Sequence, residues 1–480
     1  MSEQLGLKSA SHTISDARRA LEAGSLTPVE LAERSANALL QADPLLGIVS
    51  AIEEDRWRPQ AEAATARFRE GATTGALDGI PMAHKEMFYR PGRVSRCGGV
   101  LFDHQMQTEL ATVLKRLDDA GAVDLGQLAM VEVAMGVTGH NQTRGTPKNP
   151  WDPSRITGGS SSGSAAAVAT GAVFSALGSD TGGSIRLPAA CCGIVGIKPS
   201  HHLAPRTGAL PLAPSLDTFG PLTRSVADAA LMLSCLVGSD GVDPAADGPG
   251  QDFVGSLEGG AEGGRFALAD QSFMESVDAP ILAALETVAS IAEKSAMRRS
   301  EVDMARLSLA NDLASEMISC EGFRAHEQVL ATTPTPLGEQ TAARLRRGRE
   351  TSDERHEELR RMRRSFDDYL LEGAFAKADV VAFPMLPGRV PTIAESDVAA
   401  NPGFMEYLQG FARFARPFNF VGLPALVLPV TLDDAGLPIA VQLVAKWHDD
   451  ARLLAVAHKL ERELAFSNRP RVWCGEGLLP

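Results

Sequence analysis

GGSSSGSAAAVATGAVFSALGSDTGGSIRLPA, residues 158–189, is the most informative segment of this 480-residue chain. It opens with a tract of glycine and serine that continues directly into helix-forming alanines, which predicts a tight loop leading into a helix N-terminus. Further along, short apolar runs end in small residues, a pattern typical of strands that carry loops to a site. The segment therefore predicts an α/β fold.

The glycine–serine tract has other interpretations, and its neighbours decide among them. It lacks the lysine and the serine or threonine that would make it a phosphate-binding loop. Gly159 to Gly163 formally match a nucleophile elbow centred on Ser161, but that elbow needs a strand directly before it. Residues 149–155 contain two prolines and predict a loop there. A flexible linker is the structural alternative, and the alanines that follow favour the loop before a helix.

The second tract, DTGGSIR at residues 180–186, has the composition of an oxyanion site. Gly182 and Gly183 can take backbone angles closed to other residues, so several N–H groups can converge on one point. Ser184 can attack a carbonyl carbon there while those N–H groups bind the developing oxyanion. An ordinary β-turn is the alternative for this tract taken alone.

A serine nucleophile needs a base, and Lys85 is the candidate. The ten histidines are scattered, and none stands in a recognisable triad context. Lys85 follows the mostly apolar run IPMAH at residues 80–84, which would remove water from its ammonium. Burial lowers a lysine pKa, and a neutral amine is a competent general base. The alternative is a lysine whose ammonium reaches the surface.

Together these tracts resemble the amidase signature family of serine hydrolases. Residues 158–189 fit that family's long signature throughout. The spacings from Lys85 to Ser160 (160 − 85 = 75) and on to Ser184 (184 − 160 = 24) are similar to those of its Lys–Ser–Ser triad. The resemblance covers most of the chain and is weakest over about 240–375. Further motifs that carry it are NPW at 149–151, GIKP at 196–199, SLD at 215–217, GPL at 220–222, PFN at 417–419 and GLPI at 436–439.

The resemblance implies a role for each triad residue. Ser184 is the acyl nucleophile, and Lys85 is the ultimate base and later the acid for the leaving amine. Ser160, held by a cis peptide in this family, relays the proton between them. The resemblance implies that the oxyanion hole consists of backbone N–H groups from Thr181, Gly182, Gly183 and Ser184, and it implies no metal, nucleotide or organic cofactor. We expect Asp180 and Arg186 to anchor this loop through hydrogen bonds.

The resemblance also implies the architecture. We expect one large domain over residues 1–480, with a mixed, twisted central sheet covered by helices on both faces. Residues 158–200 would lie at its centre. The catalytic core is predicted over about 75–235 plus 376–470, and a variable, helical, substrate-shaping region over about 240–375.

Local patterns predict individual elements. Thr27, Pro28 and Glu30 are typical of a capped helix start. The arginines at 344–349 and 360–364 alternate with acids at helical spacing, so we interpret them as a solvated helix face, with a basic patch as the alternative. Other expected elements are a helix over 57–69, a mostly helical, charged region over 275–375, and strands over 48–52, 380–383, 425–430 and 439–444.

The substrate pocket is the least determined feature. Variable loops around the site offer Met130, Met135, Val137 and Cys191, which are largely apolar and favour an aryl or aliphatic amide. Met135 and Cys191 are our candidate substrate contacts. We interpret His140, with its neighbour Asn141, as satisfying backbone groups in a turn.

Composition narrows the classes of partner and compartment. The chain has 46 basic and 60 acidic residues, a net charge of −14, which gives no global attraction for nucleic acid or an anionic bilayer. Six cysteines show no C-x-x-C pairing, so we expect the reducing cytoplasm. The first 30 residues lack the apolar core of a signal peptide. We expect a cytoplasmic enzyme whose partner is a small-molecule amide, with no nucleic acid, no membrane, and at most a homodimer.

The leading functional hypothesis is a stand-alone amidase that hydrolyses a small aliphatic or aryl carboxamide through an acyl-enzyme on Ser184. The first alternative is the glutamine-hydrolysing subunit of a tRNA-dependent amidotransferase, which works with partner chains and passes ammonia onward. An esterase with the same triad is another alternative. A catalytically silent binding protein is disfavoured because all three triad residues are present.

Overall fold

A computed structural model describes residues 12–259 and 261–480. Its strands form one 11-stranded sheet. They are β1 (Val49–Ile52), β2 (Pro81–Lys85), β3 (Val123–Leu128), β4 (Ser175–Asp180), β5 (Val195–Lys198), β6 (Thr218–Thr223), β7 (Arg265–Leu268), β8 (Arg298–Arg299), β9 (Val380–Pro384), β10 (Ala425–Leu432) and β11 (Pro438–Ala445).

Helices connect and cover these strands. The α-helices are α1 (Ile14–Glu22), α2 (Pro28–Leu46), α3 (Glu54–Glu70), α4 (Thr112–Asp119), α5 (Ser162–Ala169), α6 (Arg186–Cys192), α7 (Val226–Leu236), α8 (Gln271–Met274), α9 (Ala279–Lys294), α10 (Leu309–Leu330), α11 (Glu339–Arg346), α12 (Asp353–Asp368), α13 (Phe375–Lys377), α14 (Ile393–Ser396), α15 (Phe404–Phe411), α16 (Arg416–Phe420) and α17 (Asp450–Leu464). The remaining helical segments are the 3₁₀ turns Glu132–Ala134, Gly255–Leu257, Ala305–Ser308 and Arg347–Glu350, and the π-helix Tyr369–Ala374.

The start of α2 shows how local sequence places an element. The Thr27 hydroxyl accepts a hydrogen bond from the Glu30 N–H, and the Glu30 carboxylate accepts one from the Thr27 N–H. This capping box satisfies two N–H groups that the first turn leaves without partners, and Pro28 needs none. The predicted helix start is confirmed, as are the predicted helix within α3 and the predicted strands within β1, β9, β10 and β11.

The sheet is mixed, as the resemblance implied. Its strand order is β1-β3-β2-β4-β6-β5-β10-β11-β9-β7-β8. β2 is parallel to both β3 and β4, and β7 is parallel to β8 and β9, whereas the remaining pairs are antiparallel. Strands from both ends of the chain therefore share one sheet.

Alternating side chains show that helices cover both faces. In β11, Val441 and Leu443 pack into one apolar cluster, which includes residues of α7, α9 and α17. Val444 points the other way, into a cluster with residues of α10 and α12. Successive strand side chains alternate between faces, so a strand that is buried throughout needs cover on both. The predicted fold class, an α/β sheet with helices on both faces, is confirmed.

The pairing of β2 with β4 brings the sequence motifs together. These strands are adjacent and parallel, so their carboxyl ends lie at the same edge of the sheet. β2 ends at Lys85, and β4 ends at Asp180, just before the loop that contains Ser184. The glycine–serine tract leads directly into α5, as predicted, and so brings Ser160 to the same edge.

Candidate active site

Lys85 is fully buried in the site. Its Nζ donates hydrogen bonds to Ser160 Oγ at 2.7 Å and Ser179 Oγ at 2.8 Å. Burial lowers the pKa of Lys85 from 10.5 to about 7, although the carboxylates of Asp180 and Asp217 pull it upward. Near neutral pH, therefore, a large fraction of this lysine is an uncharged amine.

Ser160 is placed by a turn that only glycines allow. Gly158 has φ of +73°, and a Cβ on Gly159 would lie 2.8 Å from the backbone nitrogen of Gly139. The Gly159–Ser160 peptide is cis. The next residue, Ser161, donates its N–H to the carbonyl oxygen of Ser184 at 3.2 Å, which ties the two loops together.

Ser161 itself has a structural position. Its hydroxyl donates to the carbonyl oxygen of Ser179 at 3.2 Å, and the side chain is buried. The segment before it is a loop and not a strand, so the arrangement that a nucleophile elbow requires is absent at these described residues.

The loop 181–184 holds Ser184 in the wall of a cavity. Ser184 is 5% exposed, and its hydroxyl has no hydrogen bond to Ser160 within the described part of the chain. Among the four predicted oxyanion donors, the Gly183 N–H is already committed to Asp180 Oδ1 at 2.7 Å. The N–H groups of Thr181, Gly182 and Ser184 donate to no described residue. Three of the four predicted donors are therefore open, and those of Gly182 and Ser184 belong to the serine itself and its near neighbour in the loop.

A buried ion pair fixes this loop. Asp180 accepts from the Arg186 guanidinium through both oxygens at 3.0 Å, and from the Asn419 amide at 2.8 Å. Burial alone would raise the pKa of Asp180, but the Arg186 guanidinium beside it outweighs burial and holds that pKa well below its usual range. The carboxylate also receives the N–H groups of Gly183 and Ile185. The predicted anchoring by Asp180 and Arg186 matches this geometry.

A second carboxylate holds the other end of the loop. The Thr181 hydroxyl donates to Asp217 Oδ1 at 2.5 Å, and Asp217 also accepts from the backbone N–H groups of Leu212 and Ala213. Burial raises the pKa of Asp217 to about 6, against the opposing effect of these hydrogen bonds. Asp217 thus orients the first residue of the oxyanion loop.

The cavity beside Ser184 has a volume of about 390 Å³. Its wall combines apolar side chains with three guanidiniums and one carboxylate. The apolar residues are Ala134, Met135, Val137, Leu212, Ile318 and Leu408, and the charged ones are Asp312, Arg344, Arg347 and Arg416. Arg344 donates to the carbonyl oxygen of Met135 at 3.1 Å, and Arg416 to Asn311 Oδ1 at 3.4 Å.

The pocket differs from the one that the sequence suggested. Met135 and Val137 line the cavity, but Met130 and Cys191 do not. Cys191 is fully buried in α6, where its carbonyl oxygen accepts from the Asn149 amide. Its side chain packs within an apolar cluster of the core, so a position close to the signature in sequence does not imply contact with the substrate. The placement of Cys191 as a substrate contact is not supported by this geometry.

The interpretation of the arginine runs as a solvated helix face is wrong for their two half-buried members, Arg344 and Arg363. Arg344 lines the cavity beside Ser184, and Arg363 lines a second cavity, where it donates to the carbonyl oxygen of Ser215 at 2.8 Å. Helical periodicity identifies the polar face of a helix but not which neighbouring element that face meets. Arg349 and Arg361 are exposed, as expected.

The prediction for the turn at residues 140–141 is confirmed for Asn141 but not for His140. Asn141 donates its amide to the carbonyl oxygens of Gly98 and Met130 and accepts from two backbone N–H groups. His140 Nε2 contacts the Ser396 hydroxyl at 2.8 Å. Asn141 thus satisfies backbone groups, whereas the partner of His140 is a side chain 256 residues further along the chain; both residues lie outside the cavity wall.

Sequence reasoning missed three residues that position the site. Ser179 holds the Lys85 amine, Asp217 holds Thr181, and Asn419 holds Asp180. All three stand inside motifs already singled out, namely the long segment 158–189, the SLD motif and the PFN motif. The signal was therefore present, but only the fold assigns the contacts.

Comparisons with known proteins agree with this geometry. Residues 30–454 match the family model of the amidases. Over 476 residues the chain is 32% identical to a glutamyl-tRNA(Gln) amidotransferase subunit of Neisseria meningitidis serogroup A, covering 94% of this chain and 97% of that protein. It is 34% identical over 479 residues to the subunit of the same name from Anaeromyxobacter dehalogenans, with coverages of 94% and 95%.

A solved structure gives the same result for the fold. It is described as an unexpected vestigial protein complex that reveals the evolutionary origins of an s-triazine catabolic enzyme. The TM-score is 0.88 at 28% identity, with 95% of this chain and 99% of that chain covered. Similarity therefore extends over the whole fold and is not confined to the signature.

These relatives correct our expectation about binding partners. We expected a small amide as the only partner besides a second copy of the chain, with no nucleic acid. That expectation is wrong, because the curated relatives are by name subunits of a glutamyl-tRNA(Gln) amidotransferase, and the solved neighbour belongs to a protein complex. Assembly surfaces carry no motif comparable to a catalytic signature, so the sequence did not reveal them. Within residues 12–259 and 261–480, no helix is long and apolar enough to cross a bilayer.

Proposed function

Since this chain belongs to the amidase signature family and is a hydrolase of amide C–N bonds, we propose that it acts through an acyl-enzyme on Ser184. Neutral Lys85 accepts a proton from Ser160, and Ser160 accepts one from Ser184 as its oxygen attacks the amide carbon. The N–H groups of Gly182 and Ser184 bind the oxyanion. The proton then returns through Ser160 to the leaving nitrogen, which departs as ammonia or an amine.

Water completes the cycle by the same proton route. As it attacks the Ser184 ester, water gives a proton through Ser160 to Lys85; the proton then returns through Ser160 to the Ser184 oxygen as the C–O bond breaks and the carboxylic acid leaves. The fully buried Lys85 supports this proposal, because its lowered pKa makes it a base at neutral pH. The hydrogen bond to Ser179 holds the amine in line with Ser160.

We propose that the substrate is an amide that carries a carboxylate, with glutamine as the candidate, and that the chain works as the glutamine-hydrolysing subunit of an amidotransferase. One observation carries this proposal: Arg344, Arg347 and Arg416 line the cavity beside Ser184 together with Asp312. Guanidiniums bind carboxylates through charge-assisted hydrogen bonds, so the three arginines match the carboxylate of glutamine. The carboxylate of Asp312 matches the ammonium of glutamine in the same way. The names of the curated relatives support the same assignment.

The second candidate is a stand-alone amidase for a small aliphatic or aryl carboxamide. The apolar part of the wall, including Met135, Val137 and Ile318, favours it. An esterase with the same triad would share this wall. The cytoplasmic location stays a prediction, supported by six cysteines that are all unpaired.

The test compares two amides in variants of one arginine. Ammonia release is measured from L-glutamine and from butyramide, which lacks the carboxylate and the ammonium. Arg347→Gln should raise KM for glutamine roughly tenfold or more, since hydrogen bonds to charged groups contribute about 1.5–3 kcal/mol, and leave KM for butyramide unchanged. Arg349→Gln is the matched control, because Arg349 lies in the same turn but outside the cavity wall.

Two results would favour the second candidate. One is rapid turnover of butyramide without turnover of glutamine, both for the chain alone and after addition of the other amidotransferase subunits. The other is an equal effect of Arg347→Gln on the two amides. Glutamine turnover that appears only with the partner subunits would support the amidotransferase assignment.

A further inference from the structure

A second cavity, of about 760 Å³, lies outside the catalytic one. The two cavities share no lining residue among those described. Its wall comes from the loop after β5, from α10 and α12, and from Trp447 and His448 after β11. Of the described residues in this wall, only Asp217, which holds Thr181, contributes to the amide hydrolysis proposed above.

His201 presents an unused hydrogen-bond donor in this wall. The residue is 6% exposed, and its Nδ1 accepts a hydrogen bond from the Arg363 guanidinium. Because Nδ1 accepts, the proton of the neutral ring must sit on Nε2. Burial, with Arg363 close by, keeps the pKa of His201 well below 6.5, so the ring is neutral. Its Nε2 is buried and has no partner among the described residues.

Trp447 and Arg363 converge on the same corner. A Cβ on Gly422 would lie 2.7 Å from Trp447 Nε1, 3.1 Å from Arg363 Nη2 and 3.2 Å from His201 Cγ. The indole N–H of Trp447, which is 36% exposed, donates to no described residue. We call His201, Arg363 and Trp447 the donor corner. The absence of a side chain at Gly422 leaves room for the donor corner, because a Cβ there would crowd His201, Arg363 and Trp447.

Some of the arginines around the donor corner form ion pairs with carboxylates. Arg206 is paired with Asp243 at 2.8 Å, and Arg324 is paired with Asp353 at 2.7 Å. Arg363 and Arg364, in contrast, have no carboxylate within 4 Å in the described ranges. Arg360 is 3.9 Å from Glu357.

The described carboxylates of the wall do not pair with Arg363 or Arg364. Glu321 accepts from the N–H and hydroxyl of Ser215, and Asp217 accepts from Thr181 and two backbone N–H groups. Asp367 is the one wall carboxylate that accepts no hydrogen bond from a described residue, and together with Glu321 it attracts Arg363 without forming an ion pair within 4 Å. Arg363 and Arg364 therefore lie beside two unused N–H donors without a directly paired carboxylate among the described residues.

From this arrangement we propose that the second cavity is a binding site for a small oxyanion ligand, whose phosphate or carboxylate group accepts hydrogen bonds from His201, Arg363 and Trp447. An oxyanion supplies several acceptor lone pairs in one place, which matches a cluster of donors whose own acceptor, His201 Nδ1, is already used by Arg363. Arg364 adds positive charge at the open side. The volume of the cavity leaves space for the organic remainder of such a ligand.

The test is calorimetric titration of the full-length protein at constant ionic strength. One arm uses inorganic phosphate and the other uses succinate, so that the two sources of the oxyanion are distinguished. We expect saturable binding of at least one of them, with a Kd no weaker than about 10 mM. Trp447→Phe removes the indole N–H together with part of the ring, and Arg364→Gln removes one exposed charge; each should weaken binding about fivefold or more. A thermal melt checks that each variant is folded.

Two controls make the result specific. Arg361→Gln changes an exposed arginine of the same helix outside the cavity wall and should leave binding unchanged. Arg347→Gln, in the catalytic cavity, should also leave it unchanged. Absence of saturable binding of both anions would overturn the proposal. Binding that is lost in Arg347→Gln but retained in Trp447→Phe and Arg364→Gln would overturn it as well, by placing the anion in the catalytic cavity.

Discussion

The ionisation of Lys85 gives the sharpest prediction for this enzyme. Burial lowers its pKa from 10.5 to about 7, and each pKa unit corresponds to about 1.36 kcal/mol. The buried site therefore disfavours the ammonium by about 5 kcal/mol relative to water. At pH 8, an ordinary lysine is neutral in only about 0.3% of molecules, whereas Lys85 is neutral in about 90%.

Activity should follow this neutral fraction. The amine accepts a proton only above its folded-state pKa, so kcat/KM should rise with pH through about 7 and then level off. At pH 6 it should be roughly a tenth of the plateau value. The assay is ammonia release from an amide substrate between pH 5 and 10, in buffers of constant ionic strength.

A second buried lysine provides the necessary control. Burial also lowers the pKa of Lys198 to about 7, but its Nζ donates to the carbonyl oxygen of Pro199 and lies outside the catalytic cavity wall. Lys198→Met should keep the rising limb near pH 7, whereas the residual activity of Lys85→Ala should lack it. Survival of the limb in Lys85→Ala, or its loss in Lys198→Met alone, would refute the assignment of Lys85 as the base.

The same pKa can be checked without a substrate. Between pH 7 and 10.5 the unfolded chain holds a proton on Lys85 that the folded chain has lost, so the wild-type free energy of unfolding rises with pH there. Below pH 7 the full cost of burying the ammonium remains. Lys85→Met should therefore gain most stability, relative to wild type, at or below pH 7, and this gain should shrink towards pH 10.5. Urea unfolding at several pH values measures it; a gain independent of pH would contradict the lowered pKa.

Three further predictions concern the loop and the nucleophile. Ser184→Ala should lower kcat by on the order of a thousandfold or more. The double variant Ser184→Ala with Ser160→Ala should be little worse, because residues that act as one unit give non-additive losses. Labelling with a fluorophosphonate should modify Ser184, and additive losses in the double variant would argue against the shared relay. Asp180→Asn leaves the Arg186 guanidinium buried without its carboxylate and should cost about 3–5 kcal/mol in urea unfolding; a loss below about 1 kcal/mol would show that the pair does not hold the loop. Gly183→Ala should cost about 1–3 kcal/mol and most of the activity, since φ is +114° and its Cβ would lie 2.6 Å from that of Ala415; a fully active variant would contradict the strained geometry.

The sequence by itself determined the family and the fold class, and its resemblance to the family predicts the triad. Lys85, Ser160 and Ser184 stand in local patterns whose composition has a physical reason, because tight turns need glycine and helix starts need caps. The start of α2 and the strands β9, β10 and β11 follow from the same local rules. Such features depend on neighbours within a few residues, and a single sequence contains that information.

Only the tertiary structure decided which side chains meet. Arg344, Arg347 and Arg416 come from separate helical segments, 416 − 344 = 72 residues apart at the extremes, yet they line one cavity with Ser184. Cys191 stands seven residues after Ser184 but is buried in α6, away from that cavity. Helical periodicity gives the polar face of α11 or α12, but the packing of many elements around one sheet determines what that face contacts. The triad could be predicted from sequence for this reason, whereas the charge of the substrate pocket could not.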